Sequence, residues 1–284
     1  MAGKGGVGKT TVTAVLAHAA ARAGRKVLVV ELDGKPTLDA LVHDADSSPD
    51  TIELTSISAP DALDEYLREN GFARVAKRLQ RTGVIDIVGT AAPGIDDVVV
   101  LGKIKQLERS GDYDLVVVDG PAAGHAITFL SSASGLADAV RAGPVKAQSD
   151  DVMELLTDGD RCQVVLVTLP ETTPVNEAIE TAYALEDEVG VALGPIVVNG
   201  VDRGARPPDD VDELLADQPD GDAQVLRTAA AFRRSRQDME AREIERLGAS
   251  LPLPCLHLPA LPVAGISVAD IDRLVEAFTA SGRR

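Results

Sequence analysis

The nine residues Gly3-Lys4-Gly5-Gly6-Val7-Gly8-Lys9-Thr10-Thr11 leave this chain few folds to choose from. They fit G-x-x-x-x-G-K-[ST], with Gly3, Gly8, Lys9 and Thr10 at the fixed positions. Glycines let the backbone curl until successive N–H groups point inward at phosphate oxygens, where a Cβ at several positions would collide. Gly3, Gly5, Gly6, Val7, Gly8, Lys9, Thr10 and Thr11 are therefore the expected phosphate cradle. Lys9 places a point charge on the β- and γ-phosphates of a nucleotide, and the Thr10 hydroxyl is the expected Mg2+ ligand. The helix that follows adds its positive dipole end. The competing reading is a glycine-rich turn that matches by chance. The immediate helix start weighs against it.

Such a loop normally follows a buried strand in the middle of a sheet, yet only Met1 and Ala2 precede it. Without that strand its neighbours would lose hydrogen-bond partners. The expectation is that the reading frame starts further upstream and an element is missing, or else that another segment covers the gap.

The other segments alternate in type. Thr10–Ala23 reads as an alanine-rich helix stopped by Gly24, and Val27–Leu32 as a strand buried on both faces. Asp61–Asn70 reads as a helix, Val84–Val88 as a short strand, and Pro93-Gly94 as the opening of a helix to about Ser110. Leu115-Val116-Val117-Val118-Asp119 is a second sharp signal: β-branched residues, then an aspartate suited to holding Mg2+ or its water. Gly120–His125 reads as a loop sensing the nucleotide, with Gly120 and Gly124 allowing it to move and His125 reporting loss of the γ-phosphate. Residues 131–160 read as helical with a break at Gly143-Pro144. Val164–Thr168, Ile196–Asn199 and Cys255–Leu258 read as strands, and Pro174–Val189 as a helix. Val225, Ala229, Phe232, Met239 and Leu247 recur at helical spacing and predict one long helix. Ser267 caps a last helix whose stripe Ile271, Leu274, Val275 and Phe278 faces the core. A membrane-anchoring tail is the less favoured alternative, because its polar face carries Asp270, Asp272 and Glu276. The pattern predicts an α/β fold, a mostly parallel sheet with helices on both faces, in one domain over residues 1–284.

A net charge of −17 opposes nonspecific binding to DNA or anionic membranes, which needs clustered Lys and Arg. Cys162 and Cys255 stand apart with no C-x-x-C, so neither a zinc site nor a disulfide framework is expected, and with no cysteine in 110–135 no iron–sulfur cluster is expected. No apolar run reaches about 18 residues, so no stable membrane insertion is expected and a cytoplasmic protein is the default.

Lys4 sits where the general pattern leaves the position free. A lysine there is the mark of the deviant Walker A ATPases. Within that group the chain resembles the arsenite-pump-driving and tail-anchored-protein-targeting ATPases, in a bacterial branch. The resemblance is carried by the loop with Lys4, by VLVVELDGKPTLDAL (27–41), by DYDLVVVDGPAAGHAITFL (112–130), by IVVNGV (196–201) and by LHLPALP (256–262). It implies a P-loop fold with a helical insertion near 91–110 and 131–160, ATP and Mg2+ as cofactors, and a nucleotide-sandwich dimer. That dimer would be a homodimer or a heterodimer with a paralogue. It further implies that Lys4 reaches the partner's nucleotide, that Asp33 orients and deprotonates the attacking water, that Asn199 contacts adenine, and that Pro259 lines the base. The competing readings are a solvated Lys4, an Asp33 that caps the next turn, and an Asn199 that ends a strand. The chain departs from the family in Gly34-Lys35-Pro36 after Asp33, and it lacks the paired cysteines and methionine-rich groove of the targeting members. The expected activity is a dimeric switch ATPase with an unknown protein client. The alternatives are a non-hydrolysing subunit beside an active paralogue, and a partition- or septum-type positioning ATPase.

Overall fold

The computed structural model describes residues 1–32, 37–43, 51–74, 76–77, 94–217 and 219–281. Asp33, Gly34-Lys35-Pro36, the expected strand Val84–Val88 and Pro93 lie outside these residues. Strand β1 (Val27–Glu31) is buried along its whole length, as its unbroken apolar run predicts. It pairs in parallel with β2 (Ile52–Ser56) on one side and β3 (Leu115–Asp119) on the other. A second parallel sheet has the order β4 (Gln163–Thr168), β5 (Ala192–Val201), β6 (Cys255–Pro259).

Residues 1–3 join the two sheets. Ala2 donates to Val165 O at 3.0 Å, and Val167 donates to Ala2 O at 2.8 Å. On the other side the amino group of Met1 donates to Val118 O at 2.8 Å. The gap expected between the sheets is thus bridged only at its end nearest the loop. Beyond Met1 lies an apolar cavity of about 760 Å3, with walls that include Leu115, Val116, Phe129, Leu155 and Val164. Backbone groups alternate sides along a strand, so Val116 and Gln163 present their N–H and C=O toward this cavity.

The alternation of β1 divides the core. Val27 and Val29 pack with α1 (Lys9–Arg22), α2 (Thr37–Val42) and α10 (Val268–Ser281). Leu28 and Val30 face α3 (Ala59–Glu69), α4 (Ile95–Arg109), α5 (Ala123–Ala139), α6 (Pro144–Leu156), α7 (Thr172–Ala184) and α9 (Asp220–Ser250). Ile271, Leu274 and Val275 on α10 are all buried, and Ser267 and Asp270 exchange the expected capping contacts. Among the described residues no helix is long and apolar enough to cross a membrane.

One expectation needs correction. Gly120–His125 is not all loop: α5 begins at Ala123, whose N–H donates to Gly3 O at 3.0 Å. Starting there buries Ala123, Ala126, Phe129 and Ala133 along one face, a gain that a flexible loop would forgo. The long helix α9 is present as expected, and most of its stripe lies at the surface. Leu247 is fully buried, whereas Val225 is 67% and Phe232 69% exposed. The leading half of α9 is held instead by ion pairs, Arg227 to Asp212 on the short helix α8 (Val211–Leu214) and Arg233 to Asp202. The helical subregion around α4–α6 is tied together by Lys105. Its buried ammonium donates to Asp151 Oδ1 at 2.8 Å and Glu154 Oε2 at 3.1 Å.

His18 on α1 is 5% exposed, with Nε2 3.3 Å from Leu41 O. Burial lowers its pKa below the ordinary 6.5, with the Leu41 carbonyl opposing. The unfolded chain therefore binds the extra proton first as pH falls through 6.5, and stability is lost in that window. Thermal melts should show a midpoint that drops between pH 7.5 and 5.5, with a shallower drop in His18→Gln.

Candidate functional site

Among the described residues the strands of both sheets run parallel and Ala2 bridges in parallel to Leu166, so Glu31, Asp119, Thr168, Val201 and Pro259 all lie at carboxyl ends of strands. The loop 3–8 lies at this edge. Gly3 has φ +154, and a Cβ there would fall 2.2 Å from the backbone oxygen of Val167, so only glycine fits against β4. Gly8 has φ +89, and a Cβ would fall 2.3 Å from Asn199 Nδ2. Nothing lies within 4 Å of a Cβ at Gly5 or Gly6. The collisions expected from the sequence thus occur at the two ends of the loop, and its middle, at Gly5 and Gly6, is exposed and open.

Lys9 folds back over the loop, donating to Gly3 O at 3.1 Å and Lys4 O at 3.3 Å. Gly8 is the N-cap of α1, whose first-turn N–H groups point to the same place. Thr10 Oγ1 donates to Asp119 Oδ2 at 2.8 Å. The hydroxyl and carboxylate marked as Mg2+ ligands are therefore neighbours although 109 residues separate them. An oxygen pair of this kind, beside the expected phosphate cradle, fits a small hard cation that keeps several waters.

Three side chains of the site escape a reading of the sequence. Thr13 is fully buried and donates to Asp119 Oδ1 at 3.3 Å. Its place three residues after Thr10, on the same helix face, was the available signal. Glu31 is 8% exposed and in register with Asp119 on the adjoining strand, so a second carboxylate ends at the same edge. Glu177 on α7 forms an ion pair with Lys4, and no local pattern links residues 173 positions apart.

Asn199 donates from Nδ2 to Val7 O at 2.9 Å and so tethers the loop. Pro259 ends β6, and Ala260 beside it donates to Val201 O at 2.9 Å. The chain after β5 is fixed on α9, because Asp202 takes two bonds from Arg233 at 2.7 and 2.9 Å. Those bonds hold its carboxyl below the usual range. His125 is exposed in the first turn of α5. On α4 the Asp97 carboxyl is pushed up by burial, with the charge of His125 opposing. Gly124 stands in open space, and a Cβ at Gly120 would meet Met1 O at 2.3 Å.

Residues 1–142 match the family model described as anion-transporting ATPase. The chain belongs to that family. It is 31% identical to "ATPase BagA" of Mycobacterium tuberculosis, over 99% of this chain and 92% of that protein. It is 28% identical to an "Arsenical pump-driving ATPase" of Escherichia coli and to one of Acidiphilium multivorum. Each of those two matches covers 65% of this chain and 31% of the longer relative. The protein is thus an ATP hydrolase with a P-loop fold.

Gly3→Ala should cost about 3 kcal/mol or more in denaturant unfolding, because φ strain adds to a backbone collision. Gly5→Ala should change unfolding by less than about 1 kcal/mol, since its Cβ meets nothing, while weakening nucleotide binding in calorimetry.

Proposed function

We propose that this chain is a Mg2+-dependent switch ATPase that works as a dimer and couples its nucleotide state to a protein or membrane-associated partner. The observation that carries the reading is the Thr10–Asp119 bond beside the glycine loop. Thr10 and Asp119 would hold Mg2+, whose charge offsets that of the β- and γ-phosphate oxygens. The backbone N–H groups of residues 5–10 and Lys9 bind and orient the triphosphate. Asp33 accepts a proton from the attacking water as the bond from the γ-phosphorus to its bridging oxygen breaks. Lys9, and Lys4 from a second copy, neutralise charge on the transferring group. Asn199 and Pro259 are assigned to the adenine side.

Coupling has a direct route. Gly3, in the loop, accepts the bond that starts α5, and α5 packs on α4 and α6 in the helical subregion. His125 and Asp97 lie across the α5–α4 contact. Gly120, Gly124 and His125 are therefore assigned to the switch, and the surface of residues 91–110 and 131–160 to the client. We assign the whole chain to one domain acting in the cytoplasm. The family membership favours hydrolysis over a non-hydrolysing subunit. The charge of −17 disfavours a positioning ATPase that needs DNA or anionic lipid.

ATP hydrolysis per chain should rise with protein concentration. Lys4→Ala should flatten that rise, and Lys9→Ala should lower kcat/KM about 100-fold or more, a loss typical of removing a charge-stabilising donor. A specific rate independent of concentration, and equal in Lys4→Ala, would sink the dimeric reading.

A further inference from the structure

The two lysines of the loop point to different partners. Lys9 turns inward onto Gly3 O and Lys4 O. Lys4 turns outward, and its ammonium is paired with the Glu177 carboxylate, each side chain a little over one third exposed. Glu177 is a fixed post. It lies in the second turn of α7, whose residues Val175, Ala178 and Ala182 are buried against the core. Its own carbonyl is tied by Thr181 Oγ1 at 2.6 Å. The strand that feeds α7 is bonded to Ala2, one residue before the loop. Glu177 and Lys4 are therefore anchored to the same piece of sheet, and the pair forms within one chain.

We propose that Glu177 is a positioning residue for Lys4, a carboxylate that parks the ammonium at the rim of its own loop until a triphosphate on a second copy of this chain competes for it. The proposal rests on the dimeric reading above. The competition has a clear sign. A carboxylate offers one negative charge, and a triphosphate offers several on adjacent groups, so Lys4 transfers when the γ-phosphate is present. After hydrolysis the phosphates left on the nucleotide carry less charge, and Glu177 takes the lysine back. The pair is partly exposed, so its hold is modest and weakens with salt. A modest hold suits a residue that must let go in each cycle.

The test has two arms. In the first, nucleotide-free protein at low concentration is treated with an amine-acylating reagent, and labelling of Lys4 is read by mass spectrometry against Lys26. Glu177→Gln should raise Lys4 labelling by about 1.5-fold to fivefold, the range of a surface ion pair, and high salt should bring the native chain toward the variant. Equal labelling overturns the proposal whatever the oligomeric state. In the second, ATPase rate and sedimentation are followed against protein concentration with MgATP and with MgADP. Glu177→Gln should lower the half-point for MgATP by about the same factor. Glu177→Gln combined with Lys4→Ala should match Lys4→Ala alone. An unchanged or raised half-point, with dimers forming normally, overturns this proposal and leaves the dimeric reading standing. No MgATP-dependent dimer in the native chain sinks the dimeric reading, and the hand-over with it.

Discussion

The backbone bonds of Met1–Gly3 join the two sheets at the edge where the loop begins. One side of this short segment is bonded to β3 and the other to β4, and Gly3 also starts α5. Remove these bonds and the two three-stranded sheets have no shared rung among the described residues. The loop follows from the segment without a break, so its position is set by sheet pairing rather than by its own glycines. This explains why the tightest glycine is Gly3, where the chain leaves the pairing and skirts Val167 O.

The second constraint is charge. A chain with net charge −17 must still hold a polyanion. It does so by placing positive potential at one edge: Lys9 and the N-terminus of α1 lie there, with Lys4 at the rim of the same loop. Two acids near the same edge have partners. Asp119 is held by two hydroxyls, and Glu177 by Lys4. Elsewhere the surplus acid is distributed in pairs, such as Asp202 with Arg233 and Glu108 with Arg161.

What could be read from the chain follows from how far each signal reaches. The β-branched runs of β1 and β3 and the spacing of the loop are local, and both were legible to within a residue. Asp119 was legible because its strand is. Thr13 was missed because its meaning depends on facing Asp119, which a linear reading does not display. Glu177 was missed because α7 arrives from the far side of β4. The stripe Val225–Leu247 predicted the helix correctly, but periodicity reports a helix face and not what covers it, so only the structure shows Leu247 buried and Phe232 exposed. The early start of α5 was missed because its first carbonyl partner belongs to Gly3, not to a residue next in sequence.

That last bond gives α5 a mechanical character. A 17-residue helix is about 25 Å long at 1.5 Å per residue. Its near end is pinned to the loop and its middle is wedged by the buried Phe129 and Ala133. Through that bond the start of α5 shares its position with Gly3, and the helix is one unbroken run of hydrogen-bonded turns from the loop to Ala139 at the far side of the helical layer.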